Sequence, residues 1–272
     1  MQHHTLAAAV AVMAVLAGAA TAQTPVAPRP VTITNPDWAS LPDVETLGAA
    51  HPAFASMAGI GGSAVLNCTA RPDGGLTGCR VVEALPAGMG FDRAALSVAP
   101  DFRVTPRSVD GLATAATVQF RIHFTLAEDP PIAPWTGPEP GAEHLQKTRQ
   151  GVLRFESDVE AEFEASLQDL GLDADRADTA RALARQVHDE FTEKQIDASA
   201  LALARLVTPE QLEMMMSGAS FPPPPPEDLM MRAGDRVEAV SRQEEERLRT
   251  LYCARFACPP PVTPRAGFVL VD

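Results

Sequence analysis

The sequence predicts an α+β fold: an N-terminal three-stranded sheet, antiparallel or mixed, crossed by one helix and followed by an all-α helical bundle. Three observations predict it. Val118, Phe120, Ile122, Phe124 and Leu126 alternate with Thr117, Gln119, Arg121, His123 and Thr125, the period of a strand buried on one face. Val152, Phe155, Val159, Phe163, Leu167 and Leu170 recur at steps of three and four, the stripe of an amphipathic helix. Between these regions Pro130, Pro131, Pro134, Pro138 and Pro140 form a stretch few regular elements survive, which marks a boundary.

The first element is an export signal over residues 1–22. Thr5–Ala22 is apolar and uncharged and ends in Ala20-Thr21-Ala22, a small-residue cleavage pattern, although Met1-Gln2-His3-His4 lacks the usual Lys or Arg. The alternative is an uncleaved inner-membrane anchor, since the run is just long enough to span a bilayer; Ala rather than Leu, Ile or Phe dominates it. The expectation is a periplasmic protein with no membrane insertion after cleavage. Residues 23–35 form a Pro-rich lead-in, 36–127 the sheet domain, 128–142 the linker, 143–258 the helical domain and 259–272 a tail.

Composition narrows the partners. The chain is 46% hydrophobic and 21% charged, as globular proteins are, and its net charge of -13 works against nucleic acid or anionic lipid, which need a cationic face. The four cysteines fall as two local pairs, Cys68 with Cys79 and Cys253 with Cys258. In an exported chain these are expected disulfides. Zinc is the alternative, but neither pair has CxxC spacing and no His lies near.

Within the sheet domain, Pro52–Ala58 reads as a short helix closed by Gly59, Gly61 and Gly62. Ser63–Ala70 and Leu76–Glu83 read as strands joined by Pro72-Asp73-Gly74-Gly75, a turn signal. With a four-residue loop Arg71 faces Leu76, and Cys68 falls opposite Cys79 in a non-hydrogen-bonded pair, where side chains approach most closely. Phe91–Ala99 reads as a helix with Phe91, Ala94, Ala95 and Val98 inward, stopped by Pro100. A right-handed crossover then sets the third strand, 117–125, beside the first and antiparallel to it, as an edge. That edge carries one formal charge and no proline, leaving its backbone unguarded.

These motifs together resemble the C-terminal domain of TonB, the periplasmic module of bacterial energy transduction. The resemblance rests on His51-Pro52-Ala53-Phe54-Ala55, Gly59-Ile60-Gly61-Gly62, Asp73-Gly74, Asp92-Arg93-Ala94-Ala95-Leu96, Phe102-Arg103-Val104-Thr105-Pro106, Asp110-Gly111 and the Val118–Phe124 strand, in order over roughly residues 36–127. His51 stands where the family usually has Tyr. The resemblance implies a domain whose edge strand accepts an extended peptide, here from an envelope protein or outer-membrane receptor. β-Augmentation is main-chain pairing, and it nominates Thr117, Gln119, Arg121, His123 and Thr125. The short lead-in argues for a detached binding module over the alternative, an anchored energy transducer.

In the second half, Val152–Leu170 is expected as one helix ending at Gly171 and Asp175–Glu190 as another. Thr192-Glu193-Lys194-Gln195 and Thr208-Pro209-Glu210-Gln211 read as helix starts, and a last helix begins near Glu227. Phe191–Met216 is similar to small helical domains of bacterial periplasmic proteins with no assigned activity. Met214–Met216 and Met230–Met231 read as core, Pro222–Pro226 as a spacer and Glu244–Glu246 as a solvated face. His51, His123, His144 and His188 have no partner at helical or strand spacing, and no nucleophile, metal or phosphate motif occurs. The expectation is a non-enzyme without cofactor or metal.

Overall fold

The computed structural model describes residues 32–34, 36–126, 131–219 and 223–258. The expected signal segment, most of the lead-in and the tail lie outside the described residues. In chain order, β1 (Thr32–Thr34), β2 (Trp38–Ser40), α1 (Val44–Ala49) and α2 (Ala53–Met57) precede the hairpin β3 (Gly62–Ala70) and β4 (Leu76–Leu85). Then come α3 (Phe91–Val98), β5 (Arg103–Val104), β6 (Arg107–Val109), β7 (Leu112–Thr114) and β8 (Ala116–Phe124). The helices α4 (Ala142–Leu153), α5 (Glu156–Ser166), α6 (Ala174–Leu206), α7 (Pro209–Met216), α8 (Glu227–Ala233) and α9 (Asp235–Arg255) complete the chain. The α+β class is as expected.

The main sheet has the order β1-β8-β3-β4. β8 lies antiparallel to β3, pairing from Gly62↔Phe124 to Ala70↔Ala116, as the crossover argument requires. The difference is a fourth strand: β1 pairs in parallel with β8 at Thr32↔Thr117, Ile33↔Val118 and Thr34↔Gln119. Three residues are too few to show a period, so only the β-branched run Thr-Ile-Thr hinted at it. β8 is therefore not a bare edge over its first half. Thr125 lies just beyond the strand, because β3 starts at Gly62 behind the Gly59–Gly61 turn and offers no further partner.

One face of the sheet is the core. Ala64, Leu66, Cys68 and Ala70 of β3 and Val118, Phe120, Ile122 and Phe124 of β8 are buried beneath Phe91, Ala94, Ala95 and Val98 of α3. Trp38 closes one end with its ring 5.2 Å from Phe102 and 4.9 Å from Phe120. Two glycines of the Gly59–Gly62 motif have clear reasons. Gly59 has a φ of +60°, and a Cβ on Gly62 would stand 2.3 Å from the Phe91 ring.

The hairpin reaches the expected cysteine pairing by another route. The closing pairs are Ala70↔Leu76 and Thr69↔Thr77, one residue away from the four-residue loop. The register then shifts between Asn67 and Thr69, where Gly78 has a φ of +57°. This glycine bulge restores Cys68 opposite Cys79, at a Cα separation of 4.0 Å and an S–S distance of 2.09 Å. A second shift, between Val65 and Leu66, leaves Val82 as the extra residue on β4. Two bulges on this strand blunt that edge against pairing.

The helical half differs more. The expected Val152–Leu170 helix starts earlier and breaks at Arg154–Phe155, leaving Phe155 and Val159 62% and 56% exposed. The expected start at Thr192 is absent: α6 runs unbroken because nothing from Glu190 to Gln195 breaks a helix, and the Thr192 hydroxyl donates to the His188 carbonyl at 2.8 Å. The start at Thr208 forms with both capping-box hydrogen bonds. The last helix begins at Glu227 and is split at Gly234 into α8 and α9. Cys253 and Cys258 lie at an S–S distance of 2.01 Å at its end.

The two halves share one core. Val31–Asp272 forms a single compact unit, and the buried cluster runs from Leu47 through the sheet to Ala180, Val187, Leu248 and Tyr252. Arg205, its side chain 5% exposed, pairs with Glu139 at 2.9 Å and Asp235 at 2.7 Å. Its guanidinium also stands over the Trp135 ring, and the Trp135 amide donates to Asp235. The Pro-rich stretch is thus tied to the helices at Trp135 and Glu139.

Candidate functional site

The edge of β8 is built by backbone direction. Arg71 donates its amide to the Gly75 carbonyl at 2.8 Å, so its main chain points toward β4. The short Cα separation at Cys68–Cys79 marks a non-hydrogen-bonded pair, so Cys68 and Ala70 point toward β8. The β3–β8 register is constant; Ala116, Val118, Phe120, Ile122 and Phe124 therefore spend their main-chain groups on β3. Those of Thr117, Gln119, Arg121 and His123 point outward. β1 occupies the outer side from Thr117 to Gln119, and among the described residues no strand pairs with that side of β8 beyond it.

The same residues carry side chains on the sheet's second face, all half-buried. Arg121 donates to the Ser63 hydroxyl at 3.0 Å and to Glu83 at 2.8 Å. Val65 stands in register with Arg121 on one side and Glu83 on the other. The ion pair consequently arches over Val65 and leaves it 7% exposed on a mostly polar face. The pair is partly solvated and adds little stability of its own; the arginine stem supplies cover. His123 stands in register with Ser63, and Thr125 is half-buried beyond the strand. The sequence placed these residues on one strand but took that strand for the sheet's edge, a position that the short β1 holds beside its first half.

A cleft of about 220 Å³ opens where β1 meets β8, lined by Ile33, Ala70, Val104, Pro106, Ala116 and Val118 among others. A second, of about 310 Å³, lies between the halves. It sets Ser241, Glu244 and Glu245 against the apolar Met57, Phe163, Val187 and Leu248; the Gln195 amide nitrogen donates to both the Ser241 hydroxyl and the Glu244 carboxylate. Glu244 and Glu245 are therefore half-buried and bonded, not a purely solvated face. No group of three or more His, Cys, Asp or Glu able to hold a metal occurs among the described residues. No described helix is long and apolar enough to cross a membrane.

The histidines are packed rather than isolated. His51 bonds the Ser56 hydroxyl at 3.0 Å and stands edge-on to Phe91 at 5.4 Å; burial holds its pKa below the ordinary value. His188 stacks on Phe163 at 3.8 Å and bonds Glu160 at 3.0 Å. The His144 Nε2 lies 2.9 Å from the Val207 carbonyl. The methionines expected in the core are partly outside it: Met214, Met230 and Met231 are 41%, 39% and 51% exposed.

A hairpin, crossover helix and returning strand, with one strand side turned outward, define a small α+β interaction module. Residues 49–126 match the family described as Gram-negative bacterial TonB protein C-terminal, so this segment is TonB C-terminal-like. The solution NMR structure of the Pseudomonas aeruginosa TonB CTD is similar at 26% identity, covering 29% of this chain and 79% of that chain with a TM-score of 0.25. No curated protein matches the chain.

Proposed function

We propose that this chain is a non-enzymatic periplasmic interaction protein. Its TonB C-terminal-like segment takes an extended segment of an envelope protein, such as an outer-membrane receptor peptide, as an added strand on the outer side of β8. The observation that carries this reading is that this side already holds a strand, β1, in register with Thr117–Gln119. Recognition is then through the main chain of Thr117, Gln119, Arg121 and His123, with Thr125 just beyond the strand's end.

The test separates backbone from side chain. The full chain is immobilised, exposed to envelope extract, and the bound proteins are identified by mass spectrometry. Arg121→Pro removes an outward amide while leaving the amides that face β3, so it abolishes capture. Arg121→Ala keeps the amide and retains capture. Unchanged capture by the proline variant, or equal loss in both, refutes edge pairing.

A further inference from the structure

We infer that Thr32–Thr34 is a built-in occupant of the partner site, a strand of the chain's own that an incoming segment must displace. The inference rests on the reading that the outer side of β8 accepts strands, and it adds the direction and chemistry of what binds there.

The geometry supplies both. β1 runs parallel to β8, so a segment taking its place runs parallel too. Ile33 is in register with Val118 and packs against the core, whereas Thr32 and Thr34, in register with Thr117 and Gln119, are exposed. A single aliphatic side chain thus anchors β1. Beside it the 220 Å³ cleft, walled by Ala70, Val104, Pro106, Ala116 and Val118, leaves space for a bulkier one. The favoured partner is an extended segment with an aliphatic or aromatic residue at the Ile33 position, flanked by small polar residues. A longer segment outcompetes β1, because β1 stops at Gln119 while β8 continues through Arg121 to Phe124. Pro36, two residues past β1, disfavours its extension toward Arg121.

A self-occupied site weakens outside ligands by the fraction of time it is open. The probe is a fluorescein-labelled peptide of residues 28–37, added to the full chain and followed by anisotropy. Ile33→Asp drives β1 off, and this variant is expected to bind the probe at least about tenfold more tightly than the wild type. A Thr34→Cys, Gln119→Cys pair, oxidised across register partners, is expected to abolish binding. Thr32→Pro serves as the releasing variant if Ile33→Asp does not fold. Equal affinity in released and wild-type chains, or no binding to either, overturns the inference. Capture of an envelope protein that Arg121→Pro abolishes, without probe binding, leaves edge pairing standing and removes only the built-in occupant.

Discussion

Tyr252→Ala tests whether the two halves behave as one folding unit. Tyr252 is fully buried on α9, its ring 4.8 Å from Phe54 of α2 and 4.8 Å from Phe256. Arg176 of α6 reaches its hydroxyl at 3.4 Å, a long contact worth little. Truncating a large buried aromatic costs about 3–5 kcal/mol through lost transfer energy and the cavity left behind. Each aromatic pair contributes about 0.5–1.5 kcal/mol of that kind of total. In a chain of this size such a loss lowers the melting temperature by about 10 °C. The informative readout is where the loss appears. Hydrogen exchange followed by mass spectrometry, on the full oxidised chain, is expected to show faster exchange in α2 and β3 as well as in α6 and α9. Urea unfolding is expected to remain one transition. Two resolved transitions, with α2 and β3 exchanging at the wild-type rate, would refute the shared core.

Two further predictions follow from single sites. His51 has its pKa lowered by burial from 6.5. The unfolded chain therefore binds a proton that the folded chain refuses, and stability falls as pH drops below about 6.5 toward the folded value. His51→Phe keeps the contact with Phe91 and is expected to flatten that part of the urea-midpoint profile between pH 7.5 and 5; an unchanged slope contradicts the assignment. Cys68→Ser with Cys79→Ser opens a loop whose ends are 11 residues apart and is expected to cost about 2–3 kcal/mol in chemical unfolding. No loss would mean that the bond does not restrain the hairpin.

Much of what carried a period or punctuation was legible in the sequence, although the Val152–Leu170 stripe broke at Arg154–Phe155. β8 showed because its alternation is long, α3 because four apolar residues share a face before Pro100, and α7 because Thr208-Pro209 starts it. The cysteine pair was legible for a sound reason and the loop was not. Spacing demanded that Cys68 face Cys79, and a bulge at Gly78 meets that demand with a different turn. Thr192 misled because a capping-box motif is local, whereas the buried stripe of Ala184, Val187 and Phe191 continues to Ile196 and keeps α6 whole. β1, β2 and α1 escaped because three to six residues hold too little pattern. The linker's ties to the helices escaped because Arg205 and Asp235 are far from Trp135 and Glu139 in sequence.

The way the halves join bears on what the sheet is left to do. Hydrogen bonds and ion pairs from the helical half reach α2, the Gly59 turn behind it, the segment leading into α3 and the start of α3 itself. The Leu170 carbonyl accepts from Phe54, the Asp173 amide donates to Gly88, Arg93 pairs with Asp173 at 2.8 Å, and Arg249 donates to the Gly59 carbonyl. These sites lie on the helix-covered side of the sheet or at its approach. β4 is blunted by bulges, and among the described residues the outer side of β8 meets a three-residue strand whose Ile33 packs against the core. A helical buttress that braces one side while leaving the other uncovered is the arrangement that the proposed strand binding requires: support on the covered side and main-chain groups turned outward on β8. On the proposed reading, an incoming strand competes with β1 for that side, and the affinity is expected to follow that contest. On that reading the residue opposite Val118, which is Ile33 in the chain itself, is expected to decide it.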